Sequence, residues 1–503
     1  MSLRRPSRRR IARQIAGAVA CALMLSIAAT SPLHATATSP LHATVTVHRT
    51  KTVYHPRPGL TLTTVHYKGP TEVRVLQFAP KSGDTGMTVS QSPSGPVISS
   101  HATPSSIASN LGAIAAVNGD FAHHGEPAHF NAIDGDIRTS GIINGSGFAI
   151  TQDEMFAWAQ HPDISMSATS SNATGFVINH WNGDDQNGPG GPVGDEINAY
   201  TKAGGIKQAP DGDTCAVRLI NPSMRRWSDD AHTELTRTWD VGQKVCQHDA
   251  LALGSDAGNV VLNSRQTGLG ADALNALPSN GTVTISWGLL GWPGIIEAVG
   301  GQPMIVRAGV NVGPGQTAGS SYFFKPNPRT AIGITKACAD NDITTQCHVI
   351  YMVVDGRQPG WSLGMTLKRE GEEMLKYGAW YAINIDGGGG SSMWLKDKGP
   401  WCINDTNGGC LVSRPSDGTE RATLTAMMVL QGPDPNEPPI GDPARIGAWG
   451  YPLGLRDDTS QNWDLLSLTD PGSTGGLLDA LAEAGRLPAG LRPSLRVYRR
   501  AVS

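Results

Sequence analysis

The stretch Val349–Met393 constrains the fold more than any other part of this chain. It reads VIYMVVDGRQPGWSLGMTLKREGEEMLKYGAWYAINIDGGGGSSM. Two apolar β-type runs, Val349–Val354 and Ala382–Ile385, each end on an aspartate followed by glycine: Asp355-Gly356 and Asp386-Gly387. Between them lies helix punctuation, with Thr366 at an N-cap position and Gly378 at a C′ position. A strand–helix–strand unit of this length predicts a right-handed crossover and parallel strands. Both strands then end on one sheet edge, where Asp355 and Asp386 converge beside a Gly-rich loop and Arg357. Adjacent strands would put the two Cα atoms about 5 Å apart, and one intervening strand would make that about 10 Å.

The chain has 503 residues, enough for one large domain or two to three ordinary ones. Charged residues are 17% and the net charge is -3, which argues against nucleic acid and against a polyanion partner. With 61 glycines and only 6% aromatics, the expected class is α+β: a mixed β-sheet domain with flanking helices, loop-rich and disulfide-stabilised.

The first 45 residues read as a signal peptide followed by a low-complexity spacer. MSLRRPSRRR is a dense positive region, and Ile15–Ala29 is an apolar run short for a membrane span. Ala35-Thr36-Ala37 offers a cleavage point. Ser7–Ile11 weakly resembles a twin-arginine export signal, with a general secretion signal as the equal alternative and an uncleaved anchor as the minor one. Residues 30–45 repeat an octad, TSPLHATA then TSPLHATV. The expected location is therefore extracellular, with no stable membrane span after cleavage. Six cysteines lie beyond this segment, and an even count in an exported chain points to disulfides. Sequence neighbours suggest Cys215–Cys246, Cys338–Cys347 and Cys402–Cys410, one of fifteen connectivities.

One folded domain is expected over residues 46–431. Leu60–Phe78 alternates like a strand, Ile107–Val117 reads as a short helix running into a strand, and Val260–Leu262 and Val283–Trp287 read as strands. Asn182–Gly194 reads as an exposed loop. Residues 432–503 begin with a Pro-rich linker, Gly432–Pro443, and continue as a small tail with helix character at Leu477–Ala484.

Chemistry-bearing residues cluster at separate places. They are Asn118-Gly119-Asp120-Phe121 followed by His123, His124 and His129; Asn327-Pro328-Arg329-Thr330; Asp355-Gly356-Arg357 with Thr366; Asn384-Ile385-Asp386 with Gly387, Gly388, Gly389, Gly390, Ser391 and Ser392; and Arg414–Asp417 with Glu420-Arg421. Carboxylates do acid–base or nucleophilic work at an acetal carbon. Arginine forks match phosphate oxygens, and consecutive glycines let backbone N–H groups approach an anion. Together they suit a substrate that is both sugar and phosphate. A single Asp-Gly after a strand is more often a plain turn, but four glycines after Asp386 cost conformational entropy without a packing return. No Gly-Lys-Ser/Thr follows, so this is not a nucleotide P-loop. The three histidines fit no strong metal spacing and read as surface residues. Arg329 reads about equally as a structural ion pair. No cofactor is called for, although the Asp/Asn-Gly richness leaves room for calcium or magnesium without an EF-hand pattern.

Taken in order, these clusters resemble the phosphodiester glycosidase family over roughly Thr61–Leu430. Asn118–Phe121, Pro328–Gly333, Asp355–Arg357, Gly364–Thr366 and Asn384–Ser392 carry the resemblance. The stretch Ala298–Met304 and Arg414–Asp417 with Arg421 add to it. The resemblance implies a hydrolase that cleaves a sugar-1-phosphodiester of the N-acetylglucosamine type, releasing the sugar and leaving a phosphomonoester. On that reading Asp355, Asp386 and Asp120 are the catalytic carboxylates. Arg329, Arg357 and Arg421 clamp the phosphodiester, and Asn118, Thr366, Gly387, Gly388, Gly389, Ser391 and Ser392 contact substrate. The partner is a glycosyl-phosphate glycan or a cell-wall or capsule polymer. The chain departs from the family pattern at Gly390, where a Ser is usual, at Arg369, where a Glu is usual, at Gly371, where an Ala is usual, and at Ala122, where a Phe is usual. Alternatives are a glycan-binding protein of the same fold without turnover, and a phosphodiesterase cleaving P–O.

Overall fold

The alternating run at Leu60–Phe78 folds as a hairpin, Leu60–Tyr67 and Thr71–Phe78, paired antiparallel from Leu60↔Phe78 to Tyr67↔Thr71. It is part of an eight-stranded sheet in a computed structural model of the chain. The structure describes residues 49–431, apart from 81–86, 96, 124, 134, 142–144, 152–155, 161–163, 183–191, 205–213, 230, 248–250, 257, 290–292, 315–321 and 341–345. The signal segment, the octad, most of the 182–194 loop, and the linker and tail lie outside the described residues.

The order of this sheet is Arg49–Arg57, Leu60–Tyr67, Thr71–Phe78, Val349–Val354, Arg329–Thr335, Ala379–Ile385, Met304–Arg307 and Val310–Asn311. Every neighbouring pair is antiparallel. Val349–Val354 and Ala379–Ile385 both pair antiparallel with Arg329–Thr335, so they run parallel to each other with one strand between them. The crossover carries the helix Leu367–Leu375, whose N-cap is Thr366; its side chain accepts from the Arg369 amide at 3.3 Å. Gly378, at φ +83°, follows two residues after the C-cap Lys376, and the next strand starts directly behind it.

The unbroken apolar run VIYMVV follows from burial on both faces. Val349, Tyr351 and Val353 enter one core, while Ile350, Met352 and Val354 enter another. The first core is shared with a six-stranded sheet, ordered Asn404–Thr406, Gly409–Leu411, Met393–Leu395, Ala115–Asn118, Thr425–Gln431 and Met87–Pro93. The second is closed by Leu367 and Met374 of the crossover helix. The short helix expected near Ile107 is Pro104–Asn110, and it leads to the strand Ala115–Asn118.

Two further sheets, of five and nine strands, hold a separate core with Trp181, Trp239 and Trp287. Strands at Val260–Arg265 and Thr282–Leu289 belong to the larger of them. The α+β expectation holds in outline, but among the described residues the molecule is sheet-dominated, and its longest α-helix has nine residues. Polar and Gly-rich stretches that carry little periodicity became short strands through tertiary pairing. The three cysteine pairs suggested by sequence proximity, Cys215–Cys246, Cys338–Cys347 and Cys402–Cys410, are formed.

Candidate functional site

One end of the eight-stranded sheet gathers the dispersed motifs. In the register, Arg329 lies opposite Val354 and Thr330 opposite Ile385, so Asp355 and Asp386 leave the sheet on either side of the Arg329 strand. Two interstrand spacings make their Cα separation about 10 Å. The six-stranded sheet delivers Asn118 to the same place. Its amide donates to the Asp386 carbonyl at 2.7 Å, and its side-chain oxygen accepts from Thr330 at 2.8 Å and from the Ser392 amide at 3.2 Å. Asn118 therefore ties three of the motifs together from a fully buried position.

The two aspartates differ sharply. Asp355 is buried and satisfied on both oxygens: Trp361 Nε1 donates to Oδ2 at 2.9 Å, and the Arg414 amide donates to Oδ1 at 2.9 Å. Burial raises its pKa to about 6, against the pull of Arg74 and these hydrogen bonds. It pins the Arg414 segment to the sheet. Asp386 is partly open, and its Oδ1 accepts the Gly387 amide at 2.9 Å. Among the described residues its Oδ2 accepts no hydrogen bond. Burial raises Asp386 to about 7; the Gly387 amide opposes the rise, the charge of Asp120 adds to it, and Arg421 and Arg357 oppose it.

Asp120 is itself buried and belongs to a pair. His129 donates its backbone N–H to Oδ2 at 2.9 Å, and its Nδ1 meets Oδ1 at 2.6 Å. Burial alone would lower the imidazole pKa, but the charge of Asp120 and its hydrogen bond outweigh this, helped by Gln302, so the net shift is upward. The expectation of a surface histidine fails for His129, which is 2% exposed. Close backbone approach at Gly300 and Gly141 encloses it. His123 is partly exposed and pairs by backbone with Glu126, and His124 lies outside the described residues. Among the described residues no group of three or more His, Cys, Asp or Glu is placed to hold a metal ion.

The arginines also divide. Arg329 is fully buried and donates to the backbone carbonyls of Met365, Tyr322 and Lys325 at 2.8–3.2 Å. Its guanidinium lies 4.6 Å from the Tyr322 ring centre. Burial lowers its pKa and the charge of Glu370 opposes that; no ion pair of Arg329 is formed among the described residues, and its full burial leaves no open face for a clamp. Arg357 holds φ +56°, a left-handed conformation uncommon outside glycine. It donates Nε to Asn327 Oδ1 at 3.0 Å, and its guanidinium lies 5.7 Å from the Tyr322 ring. Arg421 is exposed and pairs with Asp417 at 2.5–2.8 Å, directly over Gly389.

Gly388–Gly390 form a 3-10 turn, and a Cβ on Gly389 would overlap both Arg421 and Asp417. A Cβ on Gly390 would lie 2.7 Å from Asp386 Oδ2, so the departure from serine there keeps that oxygen clear. Ser391 Oγ is buried without a partner, and Ser392 Oγ donates to Glu420 at 3.3 Å. Thr366 serves as the helix cap. The other departure, Arg369, stacks on Tyr67 at 4.9 Å. The acid one residue later, Glu370, is buried beside Arg329.

Residues 250–430 match the family model for phosphodiester glycosidases. That match takes in a little over a third of the chain. The match contains Arg329, Asp355, Arg357, Asp386 and Arg421, whereas Asn118, Asp120 and His129 precede it and reach the site through the second sheet. No curated protein matches the chain. A hypothetical protein from Synechocystis shares the fold, with TM-score 0.54 and 18% identity over 76% of this chain and 63% of that one. The chain thus spans somewhat less than two thirds of that protein. A putative exported protein from Burkholderia pseudomallei gives TM-score 0.49 and 18% identity, covering 73% and 77% of the two chains. The catalytic domain of zebrafish N-acetylglucosamine-1-phosphodiester α-N-acetylglucosaminidase gives 0.36 and 13%, covering 76% and 89%.

Sequence reasoning missed Tyr322 altogether and misread His129. Tyr322 lies between two guanidinium groups with its hydroxyl against Gly387, and burial, opposed by Arg329, pushes it up to about 12. No motif marks it. A Tyr five residues before Asn-Pro-Arg, in an otherwise aromatic-poor chain, was the available signal.

Proposed function

We propose that the protein hydrolyses the glycosidic bond of a sugar-1-phosphodiester outside the cell. The observation that carries this reading is Asp386: a mostly buried carboxylate, raised by burial to about 7, with one oxygen free of hydrogen bonds among the described residues, flanked by Arg357, Arg421 and the glycine turn. A group poised near neutral pH suits general-base work. In the proposed reaction Asp386 takes a proton from water as the water oxygen bonds to C1 of the sugar. The C1–O bond breaks, and its electron pair leaves with the phosphate oxygen. Arg357 and Arg421 would neutralise the phosphate, and the turn amides with Ser391 would bind phosphate or sugar hydroxyls. Asp120, held by His129, acts through Asp386 by keeping its pKa high. Asp355 positions the Arg414 segment. Three disulfides agree with an oxidising compartment.

The Asp386→Asn and Arg357→Ala variants test this. Both should keep the parent's circular dichroism and melting temperature. Both should lose cleavage of an α-N-acetylglucosamine-1-phosphodiester by about 100-fold or more. Full activity in both variants would refute the assignment.

A further inference from the structure

The phenol of Tyr322 stands against the glycine turn that follows Asp386, and the proposed reaction gives it no part. Its place is fixed from both ends. Arg329 Nη2 and Asn327 Nδ2 donate to the Tyr322 carbonyl at 2.8 Å and 2.9 Å. The ring then reaches from the buried guanidinium to the exposed one, with Arg329 4.6 Å and Arg357 5.7 Å from its centre. At the far end, a Cβ on Gly387 would collide with the hydroxyl oxygen. Gly387 is also the residue whose amide holds Asp386 Oδ1. Arg357 comes to the same turn, since a Cβ on Gly388 would lie 3.2 Å from its Nη1. Asn327 supports both groups, because its Oδ1 accepts from Arg357 Nε at 3.0 Å. A phenol O–H and a guanidinium N–H thus lie against consecutive glycines, set in register by one asparagine.

The hydroxyl is a donor waiting for an acceptor. Burial, opposed by Arg329, pushes its pKa up to about 12, so it is neutral and protonated at working pH. No described residue accepts a hydrogen bond from it. A neutral donor beside a guanidinium suits an anion with at least two oxygens, one for each group. A phosphodiester is such an anion, with a single negative charge. Cleavage at C1 delivers an electron pair to its bridging oxygen, and the departing phosphomonoester gains a second charge. A hydrogen bond to that phosphate is therefore stronger in the transition state than in the bound substrate, which lowers the barrier.

We propose that the Tyr322 hydroxyl is a catalytic hydrogen-bond donor to a phosphoryl oxygen of the leaving group, acting with Arg357 on the same phosphate. This rests on the reading of the substrate as a sugar-1-phosphodiester, and it places the phosphate, not the sugar, over Gly387 and Gly388. The phenol keeps its proton throughout, and no bond to it is made or broken.

Tyr322→Phe tests the hydroxyl alone, because the ring facing Arg329 and Arg357 stays. Hydrolysis of an α-N-acetylglucosamine-1-phosphodiester should lose about tenfold or more in kcat, with KM within about threefold of the parent and the melting temperature unchanged. Calorimetric titration of the full chain with inorganic phosphate and with N-acetylglucosamine separates contact with phosphate from a structural role. Phosphate should bind the variant about fivefold or more weakly than the parent, and the sugar should bind both alike. The same loss of phosphate should appear when Tyr322→Phe is added to Asp386→Asn, so this result does not depend on which group is the base. An Asp386→Asn enzyme that stays active while Tyr322→Phe still loses phosphate would remove the base assignment and support the role of Tyr322. The inference is overturned if phosphate does not bind the parent, if Tyr322→Phe binds phosphate as the parent does, if kcat is unchanged, or if the sugar is lost to the same extent as phosphate.

Discussion

At the scale of single residues, the site turns on how differently three aspartates are housed. Asp355 is closed by Trp361 and Arg414, Asp120 is held by His129, and Asp386 keeps one oxygen open. With Asp386 at about 7, kcat/KM should fall as pH drops below about 7, because the base becomes protonated. Asp120→Asn removes a negative charge that favours the protonated form of Asp386, so this acidic limb should move to lower pH. A pH–rate profile that scales uniformly without moving would assign Asp120 a structural role alone. Asp355 and Asp386 were legible in the sequence because each ends an apolar run with Asp-Gly. Which of them keeps an oxygen open was not legible, since that depends on Trp361 and Arg414 closing Asp355 from elsewhere. The burial of Arg329 was hidden for the same reason: its partners are backbone carbonyls contributed by a loop without a motif.

At the scale of elements, the crossover was legible almost residue by residue, because Thr366 and Gly378 carry local punctuation that tertiary context left in force. Thr366→Ala should cost about 1 kcal/mol in urea unfolding through loss of the cap. The intervening antiparallel strand was not legible, because Arg329–Thr335 is separated from both neighbours in sequence. It sets the wider spacing, about 10 Å, between the two Asp-Gly ends. The glycine turn has its own requirement. Gly389→Ala must push aside the exposed Arg421–Asp417 pair, which costs little stability but moves a proposed phosphate ligand. Turnover should fall by about 100-fold with the melting temperature nearly unchanged. A comparable drop in stability would show that the turn serves folding instead.

At the scale of the whole molecule, two sheets packed on a shared core bring a strand end from residue 118 against strand ends from residues 329 and 386. The short polar strands of the larger sheets were invisible to periodicity, because their pairing partners, not their own pattern, make them strands. Burial leaves an electrostatic signature. Glu370 rises from 4.5 to about 8, with burial the main cause and Arg329 opposing. A carboxyl raised on folding gives stability that is fully present below its unfolded value and is lost as pH rises through its folded value. Asp355, at about 6, Asp386, at about 7, and the raised His129 act in the same direction. The urea midpoint should therefore fall between about pH 5 and pH 8, and Glu370→Gln should flatten that fall. A midpoint that rises over this range would contradict the burial account.

The measurement that bears most directly on the central claim is hydrolysis of an α-N-acetylglucosamine-1-phosphodiester in ¹⁸O-labelled water, with mass analysis of both products. Attack at C1 assisted by Asp386 predicts label in the released sugar, none in the phosphomonoester, and no measurable product from Asp386→Asn. Label in the phosphate, or glycan binding without any turnover, would contradict it.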